Sequence, residues 1–195
     1  MNIEGVKLID LEQHLDDRGE LYEVIHEYDL VMQRVRIPSE ETSFEAGVLP
    51  ILPMMNVVHY QALRKFGQTY VVKDRVRNTI RAFHRHEKTL DYFHIVQGSA
   101  KVVLVANLEK MKDQTVREFT EGELPKIDKV VLSSSKPQLL IIPPGIWHGW
   151  MSLEDNTTLI STASEVYNKD NPDEERLSPY ALHGLAGNIW EIEVK

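Results

Sequence analysis

The sequence contains no cysteine. Disulfides and thiolate chemistry are therefore excluded, and nothing suggests a fold stapled for an oxidising compartment. It also lacks any long block of lysine or arginine, and 30 acidic against 22 basic residues leave a formal net charge of −8. Such a surface argues against nucleic acid as a partner. An anionic small molecule would need a local cluster of arginines against that overall field. No apolar run is long enough to cross a bilayer, and the start, MNIEGVKLIDLEQHLDDRGE, lacks the basic and apolar stretches of a signal peptide. The expectation is a cytoplasmic protein that engages neither membrane nor nucleic acid. Amphipathic helical periodicity is scarce as well. Its best candidate is EYDLVMQRV, residues 27–35.

What is present is a series of short Val- and Ile-rich segments separated by turn residues. They are VKLIDL, LYEVIHE, QTYVVK, TIRAFHRH, DYFHIVQG, SAKVVLVANL, KVVLSS, QLLIIPP and TTLISTASEV. Several alternate in polarity with the period of a strand, at the spacing of a sandwich or barrel. Residues 38–50 and 168–179 read as loops. Strands without helical crossovers favour an antiparallel all-β fold. At 195 residues, with no repeat and no linker, the chain is expected to form one domain over 1–195. Its core would span about 66–166, with N-terminal strands and a C-terminal extension packed on it.

The chemistry concentrates in two places. In RAFHRHEKTLDYFHIVQG, His84 and His86 share a strand face. Four residues then separate His86 from Asp91, and six separate Asp91 from Gly98, a natural hairpin turn. In IIPPGIWHGW, His148 follows the Pro144-Gly145 turn signal. Imidazoles ligate metals or move protons near neutral pH, and a carboxylate can ligate or fix a tautomer. His94 falls on the opposite face from Asp91 and is read as a bystander, while His14, His26, His59 and His183 have no supporting pattern.

These paired motifs resemble the signatures of the cupin superfamily, with Asp91 where the common pattern has Glu. The resemblance implies a double-stranded β-helix, or jelly roll, with short peripheral helices. DDRGELYEVIHE, RAFHRH, IPPGIWHGW and EVYNKDNPDEERLSP occur in an order similar to that of the dTDP-4-dehydrorhamnose 3,5-epimerase family. Carried over by position, Arg18 and Glu23 match residues that contact the nucleotide, often across the interface of a homodimer. Arg81 matches an arginine that grips the diphosphate. His84 matches the general base that removes a proton beside the C4 ketone, and His148 the histidine of the second motif. Arg81 and His84 differ in strand parity, so sharing one site requires a bulge between them.

Three positions depart from that family. Its acid tyrosine falls near Ile160, the carboxylate that partners the base near Ser178, and the lysine that stabilises the enolate near Asp91. Tyr167, Asp170 and Asp173 read as a solvated loop, although Tyr167 could contact substrate as a replacement hydroxyl. The leading expectation is an isomerase that epimerises or keto-isomerises a nucleotide-diphosphate 4-keto-6-deoxy sugar without a cofactor. His84, His86 and His148 would be catalytic, with Arg18, Glu23, Arg81 and Tyr167 binding substrate. HRH also resembles the paired histidines of the dTDP-4-keto-6-deoxyglucose 3,4-ketoisomerases, which implies His86 as a proton shuttle. Two alternatives stand beside this. His84, His86, Asp91 and His148 could hold a divalent metal (zinc, iron, manganese or nickel) in an isomerase or dioxygenase acting on a small acid or ketone. A non-catalytic sugar-binding cupin is the other.

Overall fold

The structure is a computed structural model that describes residues 1–25, 33–34, 60–61, 66–108 and 125–192. Among the described residues, fourteen strands and one four-residue helix make up the regular elements. One body comprises residues 1–24 and 66–195, and residues 25–65 form a second unit. In that second unit β4 (Gln33–Arg34) pairs with β5 (Tyr60–Gln61). The end of the expected helix 27–35 is therefore strand, because its Gln33 and Arg34 find ladder partners. Residues 27–32, His26, His59 and the loop 38–50 lie outside the described residues.

The larger body holds two five-stranded antiparallel sheets. The first runs β1 (Lys7–Asp10), β11 (Gln138–Ile142), β8 (Asp91–Gln97), β13 (Thr157–Ala163) and β6 (Gln68–Asp74). The second runs β10 (Lys126–Ser133), β9 (Ser99–Ala106), β12 (Trp147–Ser152), β7 (Ile80–Arg85) and β14 (Glu175–Arg176). A hairpin of β2 (His14–Asp16) and β3 (Gly19–Leu21) follows β1 in the chain. This is the jelly roll that the resemblance implied, and it agrees with the antiparallel all-β fold read from the strand pattern. LYEVIHE departs from it, since β3 stops at Leu21 and residues 22–25 form no strand.

Strand β9 shows why the apolar runs are continuous rather than alternating. Ala100, Val102 and Leu104 enter the core between the sheets, with Phe93, Ile95, Leu140 and Leu159. Val103 and Val105 point the other way, into a second core with Phe83, Trp147, Leu182 and Trp190. The C-terminal segment thus covers the outer face of the second sheet, and both faces of β9 are dry. The helix α1 (His183–Ala186) lies in that covering segment. His14 and His183, which showed no supporting pattern, are exposed.

Strand β12 is the longest element the pattern missed, and the short β14 lies inside the stretch 168–179 that reads as a loop, because Glu175 and Arg176 find ladder partners in Arg85 and His84. WHGWMS contains a glycine and no β-branched residue, so it reads poorly as a strand. Tertiary pairing overrides this weak propensity: β12 lies between β9 and β7. Its Gly149 is required there. A Cβ at this position would sit 2.2 Å from the Ala82 Cβ and 2.8 Å from the Arg81 carbonyl oxygen.

Candidate active site

Where β12 meets β7, His148 pairs with His84 but Trp150 pairs with Arg81. Two steps on β12 oppose three on β7, so β7 carries an extra residue between His84 and Arg81. This is the bulge that the parity of these two residues demanded. It lets Arg81 and His84 line one cavity.

Three strands deliver the cluster. His84 stands near the end of β7, His86 just beyond it, Asp91 at the start of β8 and His148 in β12. The Gly145 amide donates to the His86 carbonyl at 2.8 Å, which ties the turn before β12 to the exit of β7. Gly145 itself takes φ of 84°, a conformation glycine adopts freely. The ring centroids of His84 and His148 lie 4.0 Å apart, and those of His84 and His86 lie 5.5 Å apart. Asp91 Oδ2 is 3.3 Å from both His86 Nε2 and His148 Nε2.

The tautomers follow from the remaining partners. His148 Nδ1 lies 2.9 Å from the Ile146 carbonyl, and His86 Nδ1 contacts the Asp173 carbonyl. A carbonyl only accepts, so each Nδ1 carries a hydrogen. In a neutral imidazole the Nε2 atom then presents a lone pair, and both lone pairs point at the same carboxylate oxygen. Asp91 Oδ2 and His148 Nε2 are buried without a hydrogen-bond partner. Burial, then the neighbouring His148 and His86 and the Arg176 guanidinium, push the His84 pKa far below the usual imidazole value. His84 is therefore an unprotonated ring with a lone pair to offer.

These groups open on a cavity of about 930 Å³. His84, His86 and Asp91 line it, together with the cationic Arg81, Lys88 and Arg176. His148 stays behind His84, at 1% exposure, and does not line it. Buried Asp74 accepts from Arg81 Nε at 2.8 Å, which orients the guanidinium while leaving its side chain 49% exposed. Tyr167 also lines the cavity and is exposed. Arg18 is ion-paired to Asp16 in the β2–β3 hairpin, and Glu23 is exposed just after it. Neither lines the cavity of its own chain.

Asp173 corrects the reading of residues 167–173 as simply solvated. Its carboxylate accepts from the amides of Glu87, Lys88 and Thr89 at 2.9–3.1 Å and from the Thr89 hydroxyl at 2.7 Å. Burial works to raise its pKa, but the Thr89 hydroxyl and the three amides outweigh it and hold it below the usual carboxylate range. Asp173 thus clamps the turn that links His86 to Asp91. Tyr167 and Asp170 are exposed, as read. Ile160 pairs with His94 and Val71 on the sheet face away from Asp91, so no acid stands there. His94 is the buried bystander expected, its Nδ1 2.9 Å from the Gln138 carbonyl.

Sequence reasoning missed Tyr70, Lys88, Asp173 and Arg176. The Tyr70 side chain enters the same cavity from β6. It sits in an ordinary strand pattern that carries no signal of chemistry.

Comparison with known proteins places these residues. The family model for dTDP-4-dehydrorhamnose 3,5-epimerase matches residues 54–179, which include the whole histidine cluster. The spore coat polysaccharide biosynthesis protein SpsL of Bacillus subtilis is 30% identical over 99% of each chain. A probable low-salt glycan biosynthesis epimerase of Haloferax volcanii is 29% identical, over 99% of this chain and 97% of its own. The solved dTDP-4-dehydrorhamnose 3,5-epimerase of Elizabethkingia anophelis superposes with a TM-score of 0.64 at 17% identity, covering 99% of this chain and 85% of the other. The match over most of the described core, and over the strands that carry the cluster, means that this chain belongs to the dTDP-4-dehydrorhamnose 3,5-epimerase family.

Proposed function

We propose that the protein epimerises or keto-isomerises a nucleotide-diphosphate 4-keto-6-deoxy sugar by abstracting a proton beside the ketone. The observation that carries this reading is His84 on the wall of a cavity that also presents Arg81, Lys88 and Arg176. A base and a set of phosphate-binding cations share one cavity. The volume, about 930 Å³, suits a nucleotide sugar rather than a small acid. His84 takes the proton. His86 relays it, as its Nε2 stands beside Asp91, and His148 supports the His84 ring from behind. Arg81, preset by Asp74, holds a phosphate through its free N–H groups. Tyr167 contacts the substrate at the mouth. Arg18 and Glu23 reach the nucleotide from the partner chain of a homodimer. The reaction takes place in the cytoplasm.

A second reading is favoured by one specific feature, the pair of Nε2 lone pairs aimed at Asp91 Oδ2. Either an added proton or a cation has to lie between these atoms. One nitrogen or oxygen atom from each of His84, His86, Asp91 and His148 lies within 4.8 Å of every other. The 3.3 Å separations at Asp91 are close to the edge, about 3.3–3.4 Å, of a tetrahedron around a zinc-like ion at about 2.0–2.1 Å. The Nδ1 bonds to backbone carbonyls orient the rings as metal-ligating histidines are oriented. The residues fit a divalent cation. Bound, it would supply the positive charge that the enolate oxygen needs, where the resemblance expects a lysine and this chain has Asp91.

Incorporation of solvent deuterium at C3 or C5 of dTDP-4-keto-6-deoxyglucose, read by NMR, tests the isomerase reading. Exchange is expected with the wild type and lost with His84→Ala. Binding of the nucleotide sugar without exchange would identify a non-catalytic cupin instead. Metal analysis of protein purified without an affinity tag separates the two readings of the cluster. About one divalent ion per chain supports the second, and well under one removes it.

A further inference from the structure

Inversion at a carbon beside a ketone passes through a flat enolate whose two faces must meet different proton carriers. The fold supplies two facing walls. His84 projects from β7 in the second sheet, while β6, β13 and β8 of the first sheet form the opposite side of the cavity. On that side the residues stand in rows: Gln68, Ala163 and Asp91 in one, Tyr70, Ser161 and Phe93 in the next. Laterally paired residues project to the same side of a sheet. Tyr70 therefore shares the cavity face with Asp91, two strands or about 10 Å to the side.

Few groups on that wall can deliver a proton. Gln68, Phe93, Leu159 and Ala163 carry no acidic hydrogen, and Asp91 is engaged by two imidazoles. Ser161 is fully buried and does not line the cavity. Tyr70 is the hydroxyl that the strands themselves place on this wall, 39% exposed and opposite Ser161 in the ladder. Tyr167, by contrast, lies past the end of β13 and is 57% exposed. We infer that Tyr70 is the proton donor on the face opposite His84. It stands in from β6 for the tyrosine that the resemblance expects on β13, near Ile160. The Tyr70 hydroxyl is also kept protonated. Burial raises its pKa, the Ser161 hydroxyl works the other way, and the Asp91 and Glu174 carboxylates raise it further.

The step balances without an outside reagent. The base takes the hydrogen from the carbon beside the ketone, and the C–H electron pair moves into the enolate. The Tyr70 O–H then gives its proton to the same carbon from the other face as the carbonyl reforms. Solvent reprotonates the tyrosinate and accepts the proton held by the base. This assignment rests on the isomerase reading and adds that the outcome is inversion.

Tyr70→Phe tests it with dTDP-4-keto-6-deoxyglucose in deuterium oxide, following deuterium entry and the epimer separately. The expected result is deuterium entry within about threefold of wild type, because the base can return solvent deuterium to the face it took from. Epimer formation should fall at least about a hundredfold, the range of general acid catalysis. Unchanged stabilisation of the variant by dTDP in a thermal melt shows that the cavity is intact. Normal epimer formation in Tyr70→Phe, or an equal fall in exchange and epimer formation, would overturn the assignment. Absence of exchange in the wild type would instead overturn the isomerase reading itself.

Discussion

Asp173→Ala removes the clamp on the turn between His86 and Asp91. Three amides and one hydroxyl, at 2.7–3.1 Å, lose a charged acceptor at once. A hydrogen bond to a charged group contributes about 1.5–3 kcal/mol when sheltered and less when water can replace it. Asp173 is half-buried, and the exposed Glu87 and Lys88 amides can be rehydrated, so a total of about 2–4 kcal/mol is expected. Asp173→Asn keeps one carbonyl acceptor but turns an NH2 group toward the donors, and should recover no more than about half of that. Urea unfolding measures the loss directly. The Asp173 carbonyl that contacts His86 Nδ1 is backbone and survives both substitutions, yet it moves with the released segment. Deuterium exchange should therefore fall at least about tenfold even under conditions where the variant is fully folded. A loss of stability below about 0.5 kcal/mol, with wild-type exchange, would refute the clamp.

Gly149→Ala should destabilise by about 2 kcal/mol or more, because its Cβ meets Ala82 at 2.2 Å where β12 crosses the β7 bulge; urea unfolding checks it. Arg81→Ala should weaken binding of dTDP at least about tenfold by calorimetry, and Asp74→Asn should weaken it less, since Asp74 only orients the guanidinium. His94 gives a pH dependence. Burial lowers its pKa, against the opposing bond to the Gln138 carbonyl, so the unfolded chain binds the proton more readily. Its contribution is complete above about pH 6.5 and declines below it by up to about 1.4 kcal/mol per pH unit. The stability difference between wild type and His94→Gln should narrow as the pH falls through that window. A difference constant with pH would contradict this assignment.

The two motifs and the all-β architecture were legible because period-two alternation and the spacing of histidine, aspartate and glycine are local properties. The parity conflict between Arg81 and His84 even located the bulge before its partner strand was known. What was not legible depends on pairing over long distances. β12 is a strand because β9 and β7 flank it, not because WHGWMS favours extension. Tyr70 matters because β6 lies beside β13, which no local pattern around QTYVVK announces. Asp173 sits 84 residues from the Thr89 amide it caps, so its loop looked solvated. The helical reading of residues 27–35 failed at Gln33 and Arg34, where a ladder with Tyr60–Gln61 outweighs an amphipathic pattern of only about two and a half turns.

The central claim is that the His84 cluster abstracts a proton beside a ketone of a nucleotide-linked sugar. NMR of dTDP-4-keto-6-deoxyglucose in deuterium oxide, with wild type beside His84→Ala, tests it most directly. The account predicts deuterium at C3 or C5 with the wild type and none above background with the variant. Exchange that persists in His84→Ala, or none in a wild type that binds the compound, would contradict it.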